Sequence, residues 1–164
     1  MGPAGSLCWS LAENSQTSCA CFPRLDLFDR VVAENGALLF EPAAKREAPL
    51  APEPLHPLVE ALHRMRVVPL SVGRSIIATW EPNEKLVLEA IREHGLELQI
   101  VFNKGAVMVL PPGVNKASGL KAALVDLGLS AHNVVSIGDA ENDHAFLRAS
   151  GYAVAVANAL SAIK

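Results

Sequence analysis

Two short stretches of this 164-residue chain carry groups spaced to hold an anion together with a metal ion. The first runs from Val134 to Asp143: an apolar run stops at Gly138 and is followed by Asp139, Asn142 and Asp143. Asn133 to Ile137 has the length and β-branching of a buried strand, and parallel α/β sheets gather their ligands at the carboxyl ends of strands. Two carboxylates and an amide so close together supply hard oxygens, which suit Mg²⁺ bound with a phosphate better than a soft transition metal. The competing reading is a helix cap, with Asp139 preceding a helix that starts near Ala140 and Asn142 and Asp143 favoured in its first turn.

The second stretch is Pro111 to Leu120, a loop that enters a helix with Leu120, Leu124 and Leu127 on one face. It sets Lys116 at the start of that helix, where the macrodipole prefers anions. A bound anion would account for the lysine, since an ammonium beside free backbone N–H groups makes a phosphate cradle. The bland alternative is a solvated surface lysine.

These groups need elements to position them, and the rest of the chain supplies an alternation of helices and strands. A short amphipathic helix is expected over Leu25–Asp29, then a strand from Val31. Glu41 to Leu55, with Pro42, Pro49, Pro52 and Pro54, reads as a connector. Leu58–Arg66 is helical by its apolar spacing, Leu70–Trp80 has a strand pattern, and Asn83–His94 is an amphipathic helix closed by Gly95. Leu96–Phe102 and Ala106–Leu110 form a hairpin across Asn103-Lys104-Gly105. A strand at Tyr152–Val156 and a helix from Asn158 end the chain. Arg74 and Trp80 flank the strand pattern, as substrate contacts or as packing residues.

With Val31-Val32-Ala33-Glu34-Asn35-Gly36-Ala37, Asn115-Lys116 with Gly119, and Gly138-Asp139 with Asn142-Asp143 in view, the chain from about Phe22 to Lys164 resembles the haloacid dehalogenase superfamily. It is most similar to the Cof-like phosphatases, which carry a large α/β cap inserted after the third core strand. The resemblance implies an α/β fold, a partial Rossmann-like parallel sheet core with an inserted cap. Residues 22–40 and 111–164 would form the core and 41–110 the cap. It implies that Lys116 neutralises a phosphoryl group and is the catalytic residue this chain retains. Asp139 and Asp143 would hold Mg²⁺, and Asn115 and Asn142 would join Lys116 in binding phosphate. Glu34-Asn35-Gly36 is a loop close to Mg²⁺ by the resemblance and a turn by its residue types; the turn is the favoured reading, with Asn35 near the substrate. The activity implied is phosphomonoester hydrolysis through an aspartyl-phosphate, with a small phosphorylated metabolite as partner.

The family's first motif, Asp-x-Asp-Gly-Thr, carries its nucleophile, and no such sequence occurs in the 164 residues. Asp26 and Asp29 stand three apart with no Gly-Thr after them. Residues 1–21, which hold Cys8, Cys19 and Cys21, read as a divergent segment, either out of frame or disordered. Shifted by one base, Trp9 to Phe22 can encode Leu-Val-Thr-Gly-Arg-Glu-Leu-Pro-Asn-Leu-Leu-Arg-Leu-Phe, which resembles the second family motif; the upstream gene is then expected to encode the first. On this reading the chain is a fragment, short at both ends and inactive as it stands. The alternative is a non-catalytic module that binds phosphate and Mg²⁺.

Composition narrows the partners. Hydrophobic residues make up 51% and charged residues 19%, a globular balance, and the net charge of −3 lays down no basic footprint for nucleic acid. Three clustered cysteines do not describe a disulfide framework. No apolar run reaches membrane-spanning length, so a cytoplasmic protein is expected. His56, His63, His94, His132 and His144 lack the spacing of a zinc site.

Overall fold

The computed structural model describes residues 8–10, 24–161 and 163–164; the rest of the divergent segment read over 1–21 lies outside the described residues. Strand β1 (Cys8–Ser10) pairs in parallel with β2 (Arg30–Ala33), placing Trp9 opposite Val31. The expected helix near Leu25 is a single 3-10 turn, Leu25–Leu27. After β2 the chain reverses through a 3-10 turn at Glu34–Gly36 into β3 (Leu38–Glu41). Strand β4 (Arg46–Pro49) adds antiparallel to β3, so the proline-rich stretch read as a connector contains a sheet strand. Its two prolines bracket rather than interrupt the pairing, since Pro49 ends the strand and Pro42 lies in the turn before it.

Residues 56–110 build a second layer pair. Helices α1 (His56–Arg64) and α2 (Glu84–Glu93) cover one face of an antiparallel sheet of β5 (Ser71–Val72), β6 (Ile77–Trp80), β8 (Ala106–Leu110) and β7 (Gln99–Asn103), in the order β5-β6-β8-β7. Strand alternation divides the sheet's side chains between two cores. Ile77 and Val109 pack with Leu58, Leu62, Val87 and Ile91 of the helices. Met108 and Leu110 point the other way and pack with Ile76 and with Ala37 of the 34–37 reversal. The Leu70–Trp80 pattern is two strands because Gly73–Ser75 bends between them.

The chain then enters α3 (Lys116–Leu127), which packs across β2 and β3 through Ala123 against Val32 and Leu39. Asn115 starts this helix as a capping box: its side-chain oxygen accepts from the N–H groups of Ala117 (2.9 Å) and Ser118 (3.1 Å), while the Ser118 hydroxyl accepts from the N–H of Asn115 (3.0 Å). Gly128, at φ 66°, closes the helix in the left-handed region.

Strand β9 (Val135–Gly138) and β10 (Tyr152–Ala155) pair in parallel, linked by a 3-10 turn at Glu141–Asp143 and helix α4 (His144–Ala149), which lies against α3. The strand expected to be buried is buried on one side only: Ser136 and Gly138 face inward, whereas Val135 and Ile137 are each 62% exposed. The ribbon is two strands wide among the described residues, and α4 packs against both of them. The helix expected from Asn158 is instead a series of turns, in which Leu160 donates to the carbonyl of Asp139 at 3.1 Å.

Candidate functional site

The two motifs singled out in the sequence come together through a buried ion pair. Lys116, the first residue of α3, is 8% exposed, and Asp143 is 4% exposed. The Lys116 ammonium meets Asp143 Oδ1 at 2.5 Å and lies 6.0 Å from the centre of the Phe146 ring. Lys116 is therefore no solvated surface lysine; its ammonium is sheltered and held by a carboxylate 27 positions further on.

The other oxygen of Asp143 folds the acidic loop. Asp143 Oδ2 accepts from the N–H groups of Asp139 (2.9 Å) and Ala140 (3.1 Å), so Asp143, and not Asp139, caps this loop. Gly138 makes the fold-back possible, because a Cβ there would stand 2.8 Å from that of Asp143. Burial pushes the Asp143 carboxyl up, but the Lys116 bond and charge and the two N–H donors outweigh it and hold it below the ordinary carboxylate range.

Asp139 points to a different neighbour. Its Oδ2 pairs at 2.7 Å with the ammonium of Lys104, on the turn of the β7–β8 hairpin. Asn142 donates from its amide nitrogen to Asn35 Oδ1 at 3.1 Å, which ties the acidic loop to the turn after β2. The side-chain oxygen of Asn142 is buried and has no hydrogen-bond partner among the described residues. An orphaned acceptor beside two carboxylates is a group placed for a cation or for water carried by one.

A close backbone approach brings these pieces into reach. Gly36, at φ 108°, and Gly119 pack the 34–36 turn against the first turns of α3: a Cβ at Gly119 would come 2.4 Å from a methyl carbon of Val32 and 2.7 Å from the Cα of Gly36. Asn115, expected at the phosphate by the family resemblance, has its side-chain oxygen engaged in the cap and so holds the helix start that carries Lys116.

Two contributors were not singled out as site residues by sequence reasoning. Glu34 is fully buried at φ 52°, and its two oxygens accept the backbone N–H groups of Arg74 and Ser75, each at 2.8 Å. The signal available was a charged residue between an apolar strand and Asn-Gly. Lys104 was read as part of a turn; its φ of 48° and the Gly105 that follows fit that reading, and only the tertiary fold aims it at Asp139. Arg74 pairs with Glu47 at 3.2 Å, and the exposed Trp80 ring lies against Gly105 beside Lys104.

Among the described residues no three His, Cys, Asp or Glu side chains converge as a metal cluster. Both oxygens of Asp143, expected to hold Mg²⁺, are taken by Lys116 and by two backbone N–H groups, which leaves Asp139 and the Asn142 oxygen as hard donors of the kind Mg²⁺ takes in ones and twos, with water and phosphate oxygens completing its shell. The residues present thus fit a magnesium ion shared with a phosphate and do not form a closed protein cage.

Known proteins resemble this chain in sequence and in fold. The profile of the haloacid dehalogenase-like hydrolases matches residues 75–164. A phosphoglycolate phosphatase of Methanothermobacter thermautotrophicus is 36% identical over 135 residues, covering 79% of this chain and 59% of that protein. This chain spans from about a third to three fifths of the length of such relatives. Among solved structures, Thermoplasma acidophilum 0175 superposes with a TM-score of 0.73 at 15% identity, over 96% of this chain and 72% of that one. A haloacid dehalogenase-like hydrolase from B. subtilis superposes with a TM-score of 0.68 at 18% identity, over 97% and 80%. With a profile match over more than half its length and the same α/β architecture, this chain belongs to the haloacid dehalogenase-like hydrolase family.

Proposed function

We propose that this chain carries the phosphate- and magnesium-binding half of a phosphomonoester hydrolase, with residues 41–110 as its cap and a small phosphorylated metabolite as its ligand. The buried Lys116–Asp143 pair is the observation that carries the reading. A buried ion pair is costly to assemble and contributes little net stability, so its retention beside an orphaned acceptor is better explained by ligand binding. Relatives whose names state phosphoglycolate as substrate support a small phosphorylated acid as the ligand.

In this assignment Lys116 donates to the phosphoryl oxygens, and Asp143 keeps its ammonium charged and aimed. Asp139 and the Asn142 oxygen would hold the metal ion or its water. Mg²⁺, when bound, supplies charge neutralisation for the phosphoryl oxygens. Asn115 and the backbone contact of Gly36 with Gly119 fix the helix start from which Lys116 projects. Hydrolysis in this family's manner needs a nucleophilic carboxylate from an Asp-x-Asp-Gly-Thr strand, which the 164 residues do not contain. The chain by itself therefore binds phosphate with Mg²⁺ and does not turn esters over.

Phosphorus NMR titration of inorganic phosphate with and without Mg²⁺ tests the binding. A Mg²⁺-dependent shift that weakens in Asp139→Ala and Lys116→Met is expected. A p-nitrophenyl phosphate assay should show no turnover; turnover that Asp139→Ala abolishes would overturn the claim of binding without hydrolysis.

A further inference from the structure

A cavity of about 230 Å³ opens where the chain enters and leaves the 56–110 layers. Residues 52–55 lead into α1 and residues 111–112 lead out of β8, and both passages line it. Its buried wall is apolar: Leu58 of α1, Ile77 of β6 and Val109 of β8 are each at most 3% exposed. Proline fixes its backbone φ and carries no N–H, so Pro52, Pro54, Pro111 and Pro112 stiffen the two passages and offer no backbone donor. Of the lining side chains only that of Ser75 can donate, and its hydroxyl is already given to the carbonyl of Ala51 at 2.8 Å. The charged residues of the lining are Glu53 and Glu97, both exposed and neither with an ion-pair partner among the described residues. No lysine, arginine or histidine lines the cavity, and neither do Lys116, Asp139, Asn142 or Asp143, so it is separate from the site around the acidic loop.

We propose that this cavity is a binding site for a small cyclic amine, which sets its ring against Leu58, Ile77 and Val109 and its protonated nitrogen toward the carboxylates of Glu53 and Glu97. An apolar cavity of about 150 Å³ is enough for benzene, so 230 Å³ admits a six-membered ring with a short tether. The ring gains by leaving water for the apolar wall. The polar part of the lining decides the charge. A carboxylate or phosphate brought here would lose its hydration with no donor to replace it, beside two groups of its own sign. An ammonium meets two carboxylates that face solvent, and so keeps part of its own hydration while pairing. The stiff proline passages leave the cavity formed before the ligand arrives, so little ordering has to accompany binding.

Methyl-detected NMR of the full chain tests this at low ionic strength with three probes that share a phenyl ring: 2-phenylethylamine, 2-phenylethanol and 3-phenylpropionate. Phosphate and Mg²⁺ are left out, so the outcome does not depend on the site around Lys116. The amine is expected to shift the methyl signals of Leu58, Ile77 and Val109 and to bind about fivefold more tightly than the alcohol, the worth of an exposed ion pair. The propionate should bind more weakly than the alcohol, and added salt should narrow the amine's advantage. In Glu53→Gln/Glu97→Gln, a change at two exposed positions that leaves the fold intact, amine and alcohol should bind alike. Equal binding of the three probes to the wild type, or an advantage of the amine that survives the double substitution, overturns the assignment of the charge. Failure of every probe to shift those methyl signals overturns the site.

Discussion

Lys116 and Asp143 illustrate how a pair of little net worth becomes costly to break once it is buried. Removing one partner of a buried pair leaves an uncompensated charge, and Asp143→Ala also strips the cap from two N–H groups. We expect Asp143→Ala to cost about 3 kcal/mol in urea unfolding, with much of that recovered in a Lys116→Met/Asp143→Leu double variant. The pH dependence follows from the direction of the shift. Because the folded carboxyl is held below its ordinary value, its stabilisation is fully present above about pH 4 and is lost as pH falls through the lower folded value. A denaturation series from pH 7 to pH 2 should show the wild-type chain losing stability at the acid end and Asp143→Ala losing less. Asp139 behaves differently, since it is half-exposed and paired with a lysine of the β7–β8 hairpin, and its substitution should affect ion binding more than folding.

Among the elements, the turn after β2 decides how the two sets of layers meet. Glu34 reaches across 40 positions to accept the N–H groups at the bend between β5 and β6, and Ala37 packs into the far face of the same sheet. Glu34→Ala leaves two sheltered N–H donors without their acceptor, a loss of about 2 kcal/mol. Amide hydrogen exchange should then accelerate at Arg74 and Ser75 ahead of the β6–β8 ladder. The α3 start is equally intolerant: Gly119→Ala sets a methyl against Val32 and the Gly36 backbone, and should cost about 2 kcal/mol in thermal unfolding. The start of α3 near Lys116 was legible from residue types alone. The 3-10 turn at Glu141–Asp143 was not, because the decisive bonds run backward from Asp143 to the loop rather than forward from Asp139 into a helix.

Among the described residues, the β9–β10 ribbon leaves an apolar face open. Val135 and Ile137 on β9 stand beside Tyr152 and Val154 on β10 in register, and all four are exposed. A contiguous apolar patch of this kind favours association, so light scattering should show less self-association in Ile137→Lys than in the wild type. Its thermal stability should stay within about 0.5 kcal/mol, since the side chain is exposed already. The α/β class and the residues of the acidic loop were readable in the amino-acid sequence, because strand and helix periods and glycine positions are local constraints, and the family was read from the resemblance of its motifs. The burial of β9 was misread because an apolar run specifies what can be covered and not what covers it; that depends on which strands and helices lie beside it. The contacts of Lys104 and Glu34 were likewise decided only by folding. Each acts on a partner 35 or more positions away, at a distance set by how the hairpin and the bend pack against the core, and no local pattern of residues encodes that packing.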